Sequence, residues 1–97
     1  MATFISLLGF TDQGIRKVKQ TTKRADAFKA MARKTGVTVK DIYWTVGAYD
    51  VVIVMEASDD ESATAALLTL GALGNVRTQT LRAFSAAEMS RIIGKMA

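Results

Sequence analysis

Apolar and polar positions divide the chain into strand-like and helix-like segments in a fixed order. Residues 3–10 form an apolar and aromatic run that is typical of a strand. Residues 37–46 and 49–57 repeat that pattern on either side of a break at Gly47-Ala48. Because two strands joined so closely favour a hairpin, we expect these two to pair. Residues 76–84 predict a fourth strand.

The first helix is predicted between the first two strands. Thr11 and Asp12 are good N-cap residues, and Gly36 is well placed as the residue that ends the helix. Gly14 is a possible early interruption. The apolar positions recur every three or four residues and predict one buried stripe, formed by Ile15, Val18, Thr22, Ala25, Phe28, Met31 and Ala32.

Two further helices carry capping motifs. Ser58-Asp59-Asp60-Glu61 fits the S-x-x-E capping box and predicts a second helix that ends near Gly74-Asn75. Ser85, with Glu88 three residues later, predicts a second capping box and a short C-terminal helix. Helix capping explains the Asp59-Asp60-Glu61 cluster without a metal ion.

The resulting order is β-α-β-β-α-β with a terminal helix, which is the ferredoxin-like pattern of an α+β fold. Right-handed crossovers then place both long helices on one face of a four-stranded antiparallel sheet, with the first and third strands in its centre. The polar last strand suits an edge of the sheet or the mouth of a cavity. Residues 1–97 contain no linker or repeat, so we expect a single domain.

The two central strands are apolar on both faces, although a sheet that is covered on one side should be polar on the other. The face away from the helices therefore needs a cover, and the sheet of a second copy would provide one, as in a dimeric α/β barrel. We predict a homodimer or a larger homo-oligomer. The alternating sets are Val51, Ile53 and Met55 against Val52 and Val54, and Phe4, Leu8 and Phe10 against Ile5 and Leu7.

The amino-acid composition excludes several kinds of catalytic and metal-binding site. The chain has no Cys, which excludes disulfides and thiolate chemistry, and no His, which removes the commonest metal ligand and general base. We therefore expect no metal and no cofactor. The apolar start, residues 1–10, lacks the features of a signal peptide and is too short to span a bilayer, so a cytoplasmic protein without a membrane segment is expected.

Charge is unevenly distributed. Residues 1–40 carry nine basic and two acidic side chains, a net charge of +7, whereas residues 41–97 carry four basic and seven acidic ones, a net charge of −3. The basic first helix could meet an anion, but a solvated helix face explains the pattern as well. Nucleic acid is not the partner we expect, because the sheet lacks the exposed aromatic residues on which RNA-binding domains stack bases.

Three motifs carry a family resemblance. They are Phe10-Thr11-Asp12-Gln13-Gly14-Ile15-Arg16, Tyr43-Trp44-Thr45-Val46-Gly47-Ala48-Tyr49-Asp50, and the segment from Leu73 to Phe84. Together they resemble the GYD-domain family of small bacterial and archaeal proteins, whose Gly-x-Tyr-Asp element is present as Gly47, Tyr49 and Asp50. The resemblance implies a ferredoxin-like, dimeric α/β-barrel-type fold and no established activity.

The second half is also similar, on one turn motif and shared topology, to the amino-acid-sensing domain of leucine-responsive-type regulators. Effectors of that domain bind near such turns at subunit interfaces. The DNA-binding part of those regulators is missing from this chain.

Candidate ligand-binding residues cluster around the hairpin. Asp50 could present its carboxylate to a ligand beside Tyr49, or it could simply close the turn by accepting backbone N–H bonds. Tyr43 and Trp44, being adjacent on a strand, point to opposite faces, where each could line a pocket or pack in the core. Arg77 could bind an anion or lie at a solvated rim.

Three functions compete on these residues. The first is a non-catalytic small-ligand-binding, assembly or regulatory module with a pocket near the 47–50 turn. The second is a cofactor-independent enzyme that uses Asp50 with a Tyr or Arg. The third is anion or nucleic-acid binding through the basic first helix. The first needs only the residues present, and it is the one we favour.

Overall fold

A computed structural model describes all of residues 1–97 and contains four strands and four α-helices. Its element order is the predicted one, with the first helix divided in two. The elements are β1 (Ala2–Phe10), α1 (Asp12–Arg16), a 3-10 turn (Val18–Gln20), α2 (Thr21–Lys34), β2 (Val37–Trp44), β3 (Val51–Ala57), α3 (Asp60–Ala72), β4 (Val76–Ala83) and α4 (Ala86–Ile93).

The four strands form one antiparallel sheet in the order β2-β3-β1-β4, which confirms that β1 and β3 are central and that β4 is an edge. Ile5 lies opposite Val54 on one side and Leu81 on the other, and this register fixes which residues share a face. A bulge between Val39 and Asp41 shifts the pairing of β2 by one residue. The fold is α+β and ferredoxin-like.

The core lies between the sheet and the helices α2 and α3. The helix side of the core consists of Phe28 and Ala32 of α2 and of Ala63, Ala66, Leu67 and Leu70 of α3. Phe4 and Leu8 of β1 and Val51, Ile53 and Met55 of β3 supply the sheet side. Ser6 is the one buried polar side chain, and its hydroxyl pairs with that of Thr80 at 3.1 Å. The alternation predicted for the central strands is therefore confirmed on the helix side.

The predicted single stripe of the first helix is wrong over its first turns. The chain leaves α1 at Lys17, passes through the 3-10 turn, and only then begins α2, so the helical phase is reset. Ile15 and Val18 are consequently exposed, whereas Phe28 and Ala32 further along are buried. The interruption lies three residues after Gly14, the residue that indicated it.

The start of α3 also differs by one residue from the prediction. Asp59, and not Ser58, is the N-cap, and its carboxylate accepts a 2.7 Å hydrogen bond from the backbone N–H of Ser62. A carboxylate accepts this bond as well as a hydroxyl does, so the two possible caps could not be separated by pattern. The box at Ser85 and Glu88 is confirmed in both of its hydrogen bonds.

Helix α4 buries none of its residues. Arg82 of β4 holds its start: the guanidinium lies 4.4 Å from the centre of the Phe84 ring and 3.8 Å from the Glu88 carboxylate. The apolar stripe of α4, formed by Met89, Ile92 and Ile93, stays exposed. No helix in the chain is both long enough and apolar enough to cross a membrane.

Candidate functional site

The face of the sheet turned away from α2 and α3 is apolar and has no helix over it. Ile5, Leu7, Val52 and Val54 form its centre and are only half-buried. Tyr43 of β2 and Leu81 of β4 lie beside them in register and are exposed. We call these six residues the open face. The prediction that both faces of the central strands are apolar is confirmed.

Asp50 ties the β2–β3 hairpin to the central strand β1. One oxygen of its carboxylate accepts a 2.8 Å hydrogen bond from the backbone N–H of Phe10, and its own N–H donates to the carbonyl of Leu8 at 2.8 Å. Its carbonyl accepts from the N–H of Thr45, which closes the loop. Gly47 in this loop has φ +148°, a conformation that favours glycine. The carboxylate of Asp50 is therefore an acceptor between the hairpin and β1, and a role toward a ligand stays a prediction.

Tyr43, Tyr49 and Arg77 all belong to the open side of the sheet. Tyr43 lies opposite Val52, and Arg77 lies opposite Gly9. The Tyr49 hydroxyl donates a 2.7 Å hydrogen bond to the side-chain carbonyl of Gln79, which is opposite Leu7. Tyr43 is part of the open face, and Tyr49 and Arg77 border it near the end where Gly9 leaves room above the sheet.

Trp44 is separated from the other candidates because it lies on the helix side. Its indole N–H donates a 3.0 Å hydrogen bond to the hydroxyl of Thr21 at the start of α2. The sequence prediction that Tyr43 and Trp44 point to opposite faces is therefore confirmed. The structure does not bring the five candidate residues into one pocket. It divides them between two sides of the sheet.

Trp44 borders a cavity of about 430 Å³ between α2, α3 and the sheet. Leu8, Ile42 and Val51 line the sheet side, and Phe28 and Leu70 line the helix side. This cavity was not predicted from the sequence. The one available signal was that Trp44 shares a strand face with Ile42, which places a large aromatic side chain beside the core.

Asp41 lies opposite Val54, and Glu56 follows Val54 on the same face of β3, so two carboxylates border one end of the open face, whereas Arg24 is the one charged residue that lines the cavity. The backbone N–H of Ser62 holds the pKa of the Asp59 carboxyl below its ordinary value, and that of Ser85 does the same for the pKa of Glu88. Both shifts are the electrostatic consequence of helix capping. No three Asp, Glu, His or Cys side chains come together as a metal site would require.

The fold and its surfaces define a class: a small ferredoxin-like α+β domain that presents an apolar sheet face and an exposed amphipathic tail helix. Within that class the chain belongs to the GYD domain family, whose model matches residues 4–93.

A curated relative and a solved structure agree with this assignment. The chain is 37% identical over 90 residues to the "Glutamine synthetase and cystathionine beta-lyase binding protein" of Thermus thermophilus, covering 92% of this chain and 95% of that protein. It is also similar to the crystal structure of TTHA0845 from the same organism, with a TM-score of 0.58 and 25% identity over 89% of this chain and 96% of the other.

Proposed function

We propose that this protein is a non-catalytic binding module that assembles through its open face and, as an oligomer, binds a metabolic enzyme. The observation that carries the assembly is the uncovered apolar face of the sheet. Six residues that alternate in register with the core form a continuous apolar surface, and no element of the chain covers it. Monomeric proteins rarely leave so coherent an apolar patch in water.

A second copy fits this face better than another partner does. Two open faces are identical, so a two-fold axis can pair them as a self-complementary interface. Aliphatic side chains on two twisted sheets interdigitate well when the sheets stack about 10 Å apart. The polar residues Arg77 and Gln79 would then lie at the rim, which is where interfaces carry polar groups.

The enzyme partner is suggested by the relative. That protein is named for binding glutamine synthetase and cystathionine β-lyase, and it shares nearly the whole length of this chain. We propose that this protein binds the same two enzymes of its own host. The cytoplasmic location expected from the sequence is compatible with such partners.

Helix α4 is the element we assign to that contact. Its apolar stripe at Met89, Ile92 and Ile93 is exposed, and an amphipathic helix of this kind docks into an apolar groove of a partner protein. None of the residues of α4 is buried in the protomer, so its apolar stripe is available for a contact with a second protein.

Sedimentation velocity with purified glutamine synthetase and cystathionine β-lyase of the same organism tests the proposal. The wild-type protein should co-sediment with at least one of them. Ile93→Lys should weaken that complex by about tenfold or more and leave the protein's own oligomer unchanged. Ala87→Lys adds the same charge on the opposite side of the helix and should have little effect.

Val54→Lys separates the two parts of the proposal. A lysine at the centre of the open face should break the oligomer, whereas Thr38→Lys at the polar margin of the same face should not. If neither enzyme binds the wild-type protein at micromolar concentration, the assignment of the partner is wrong. That result does not contradict the proposed oligomer. If Val54→Lys leaves the mass unchanged, the assembly through this face is wrong.

A further inference from the structure

We infer that the cavity between α2, α3 and the sheet binds a small monocarboxylic acid with an apolar body, and that Arg24 receives its carboxylate. The cavity lies on the opposite side of the sheet from the open face. It is therefore a site separate from the one proposed for assembly. Its volume of about 430 Å³ falls within the rough range of 300–1,000 Å³ for small-molecule pockets.

The residues that line the cavity favour a ligand with an apolar body. Thirteen of the seventeen residues that line the cavity are hydrophobic, and they come from all four strands of the sheet, from both long helices and from the loop after α3. A hydrocarbon body would gain contacts there that water cannot make, since apolar walls offer water no hydrogen bonds. The aliphatic and aromatic side chains that would contact it include Phe10, Phe28, Met31, Ile53, Leu70 and Leu73.

The polar groups of the lining determine what the other end of the ligand can be. The Thr69 hydroxyl donates to the Ala65 carbonyl at 2.9 Å, and the side-chain oxygen of Asn75 accepts from Gln13 at 2.9 Å. Thr21 already accepts the indole N–H of Trp44. These three groups are largely engaged, which leaves Arg24 as the lining residue with capacity for a ligand.

Arg24 is the one charged residue of the lining, and it has no acidic partner. It is half-buried, and its guanidinium donates to the carbonyls of Lys17 at 2.8 Å and Gly14 at 3.3 Å. The two ion pairs of the structure, Lys40–Glu56 and Arg82–Glu88, lie elsewhere. A partly desolvated guanidinium with three further N–H donors favours an anion, and a carboxylate matches its planar fork.

Trp44 supplies a direct readout because it is the only tryptophan of the chain. It borders the cavity with 43% of its surface exposed, so a ligand that covers the indole should shift its emission to shorter wavelength. Intrinsic tryptophan fluorescence therefore reports on the surroundings of this one residue at the edge of the cavity.

Decanoate is the probe for the test, with decan-1-ol as its uncharged counterpart and decylamine as its cationic one. Decanoate, titrated below its micelle concentration into the full-length protein, should give a saturable blue shift of Trp44 and a rise in melting temperature by mass action. It should bind about tenfold or more tightly than the alcohol or the amine, since a charge-assisted hydrogen bond to Arg24 is gained only by the acid.

Two substitutions locate the site. Arg24→Gln should reduce decanoate binding to the level of decan-1-ol, whereas Arg33→Gln on the exposed side of α2 should leave it unchanged. Ala25→Phe should fill the cavity and abolish the shift for every probe, with circular dichroism confirming that the variant is folded. Because Arg24 also donates to the carbonyls of Lys17 and Gly14, circular dichroism and the binding of decan-1-ol check that Arg24→Gln keeps the fold and the cavity.

Several results would overturn the inference. No saturable shift with decanoate, or equal affinity for the acid and the alcohol in wild-type and Arg24→Gln proteins, would show that the cavity recognises no carboxylate. Decanoate binding that survives Ala25→Phe would place the probe on another surface. Binding that occurs only after Met89→Lys and Ile92→Lys disable α4 would make the tail helix of a neighbouring copy the natural occupant.

Discussion

The two faces of the sheet are built from the same kinds of residue but end in different environments. On the helix side, Ile53 and Met55 are almost completely buried under α2 and α3. On the other side, Val52 and Val54 occupy the alternate positions of the same strand and remain half-buried. The difference teaches that the alternate positions of one strand can have separate roles. One set packs in the core of the protomer, and the other set is available for contact with a second molecule.

The largest expected effect comes from truncating matched residues on the two faces. Ile53→Ala should lower the free energy of unfolding by about 2–5 kcal/mol, because it leaves a cavity among buried side chains. Val54→Ala should instead weaken the oligomer and change the unfolding free energy mainly through that dissociation. Urea denaturation at several protein concentrations measures both effects.

The concentration dependence sharpens this comparison. Under our account, the difference between Val54→Ala and wild type grows as the protein is concentrated, whereas the effect of Ile53→Ala stays the same. Equal, concentration-independent losses at the two positions would mean that the open face contributes only to the monomer.

A second contrast involves two glycines near the end of β1. A methyl group added at Gly14 would lie 1.9 Å from the carbonyl oxygen of Asn75, which also accepts the N–H of Thr11 at 3.1 Å. Gly14→Ala should therefore destabilise the protein by about 1–3 kcal/mol through overpacking. Gly9→Ala has open space above the sheet and should be nearly neutral for the protomer. Thermal unfolding distinguishes them, and a stable Gly14→Ala would contradict the contact between α1 and the start of β4.

A third comparison separates two neighbours in the hairpin. Asp50→Ala removes a charged acceptor from the Phe10 N–H and should cost about 1.5–3 kcal/mol, whereas Tyr49→Phe removes one exposed hydrogen bond and should cost about 1 kcal/mol or less. Chemical denaturation measures both. Asp50→Asn keeps a carbonyl acceptor, so its loss of stability should lie between the losses of Asp50→Ala and Tyr49→Phe. If Asp50→Ala were harmless to stability, a ligand role for this carboxylate would regain support.

The smallest expected effect is the pH dependence of α4. The N–H of Ser85 lowers the pKa of Glu88, so the capping bond stabilises α4 above the ordinary pKa of glutamate and is lost as the pH falls through the lowered value. Amide signals of residues 86–93, followed by NMR during acidification, should report fraying there. Glu88→Gln keeps an acceptor but does not titrate, so its α4 signals should not respond over that range.

Much of the fold could be predicted from alternation and caps. The period of two in β1 and β3 indicated which residues share a face, and the order of elements then left one simple topology. The break between α1 and α2 could not be placed, because Ile15 and Val18 continue the helical spacing across it. The close approach of the Asn75 carbonyl to Gly14 explains the glycine, but it does not set the end of α1 at Arg16.

The candidate site was less accessible to sequence reasoning. Tyr43 and Trp44 were assigned to opposite faces by parity, and this was confirmed. The hydrogen bond from the Phe10 N–H to the Asp50 carboxylate joins residues 40 positions apart, so no local pattern could indicate it. The cavity beside Trp44 depends on the tilt of two helices, and no local pattern records it.

The central claim, that the open face pairs with a second copy, is tested most directly by sedimentation equilibrium at micromolar concentration. The protomer mass is 10.5 kDa. Our account predicts a species of at least twice that mass for the wild type and for Thr38→Lys, and a protomer for Val54→Lys. A wild-type protein that sediments as a 10.5 kDa monomer at about 100 µM or above would contradict the claim.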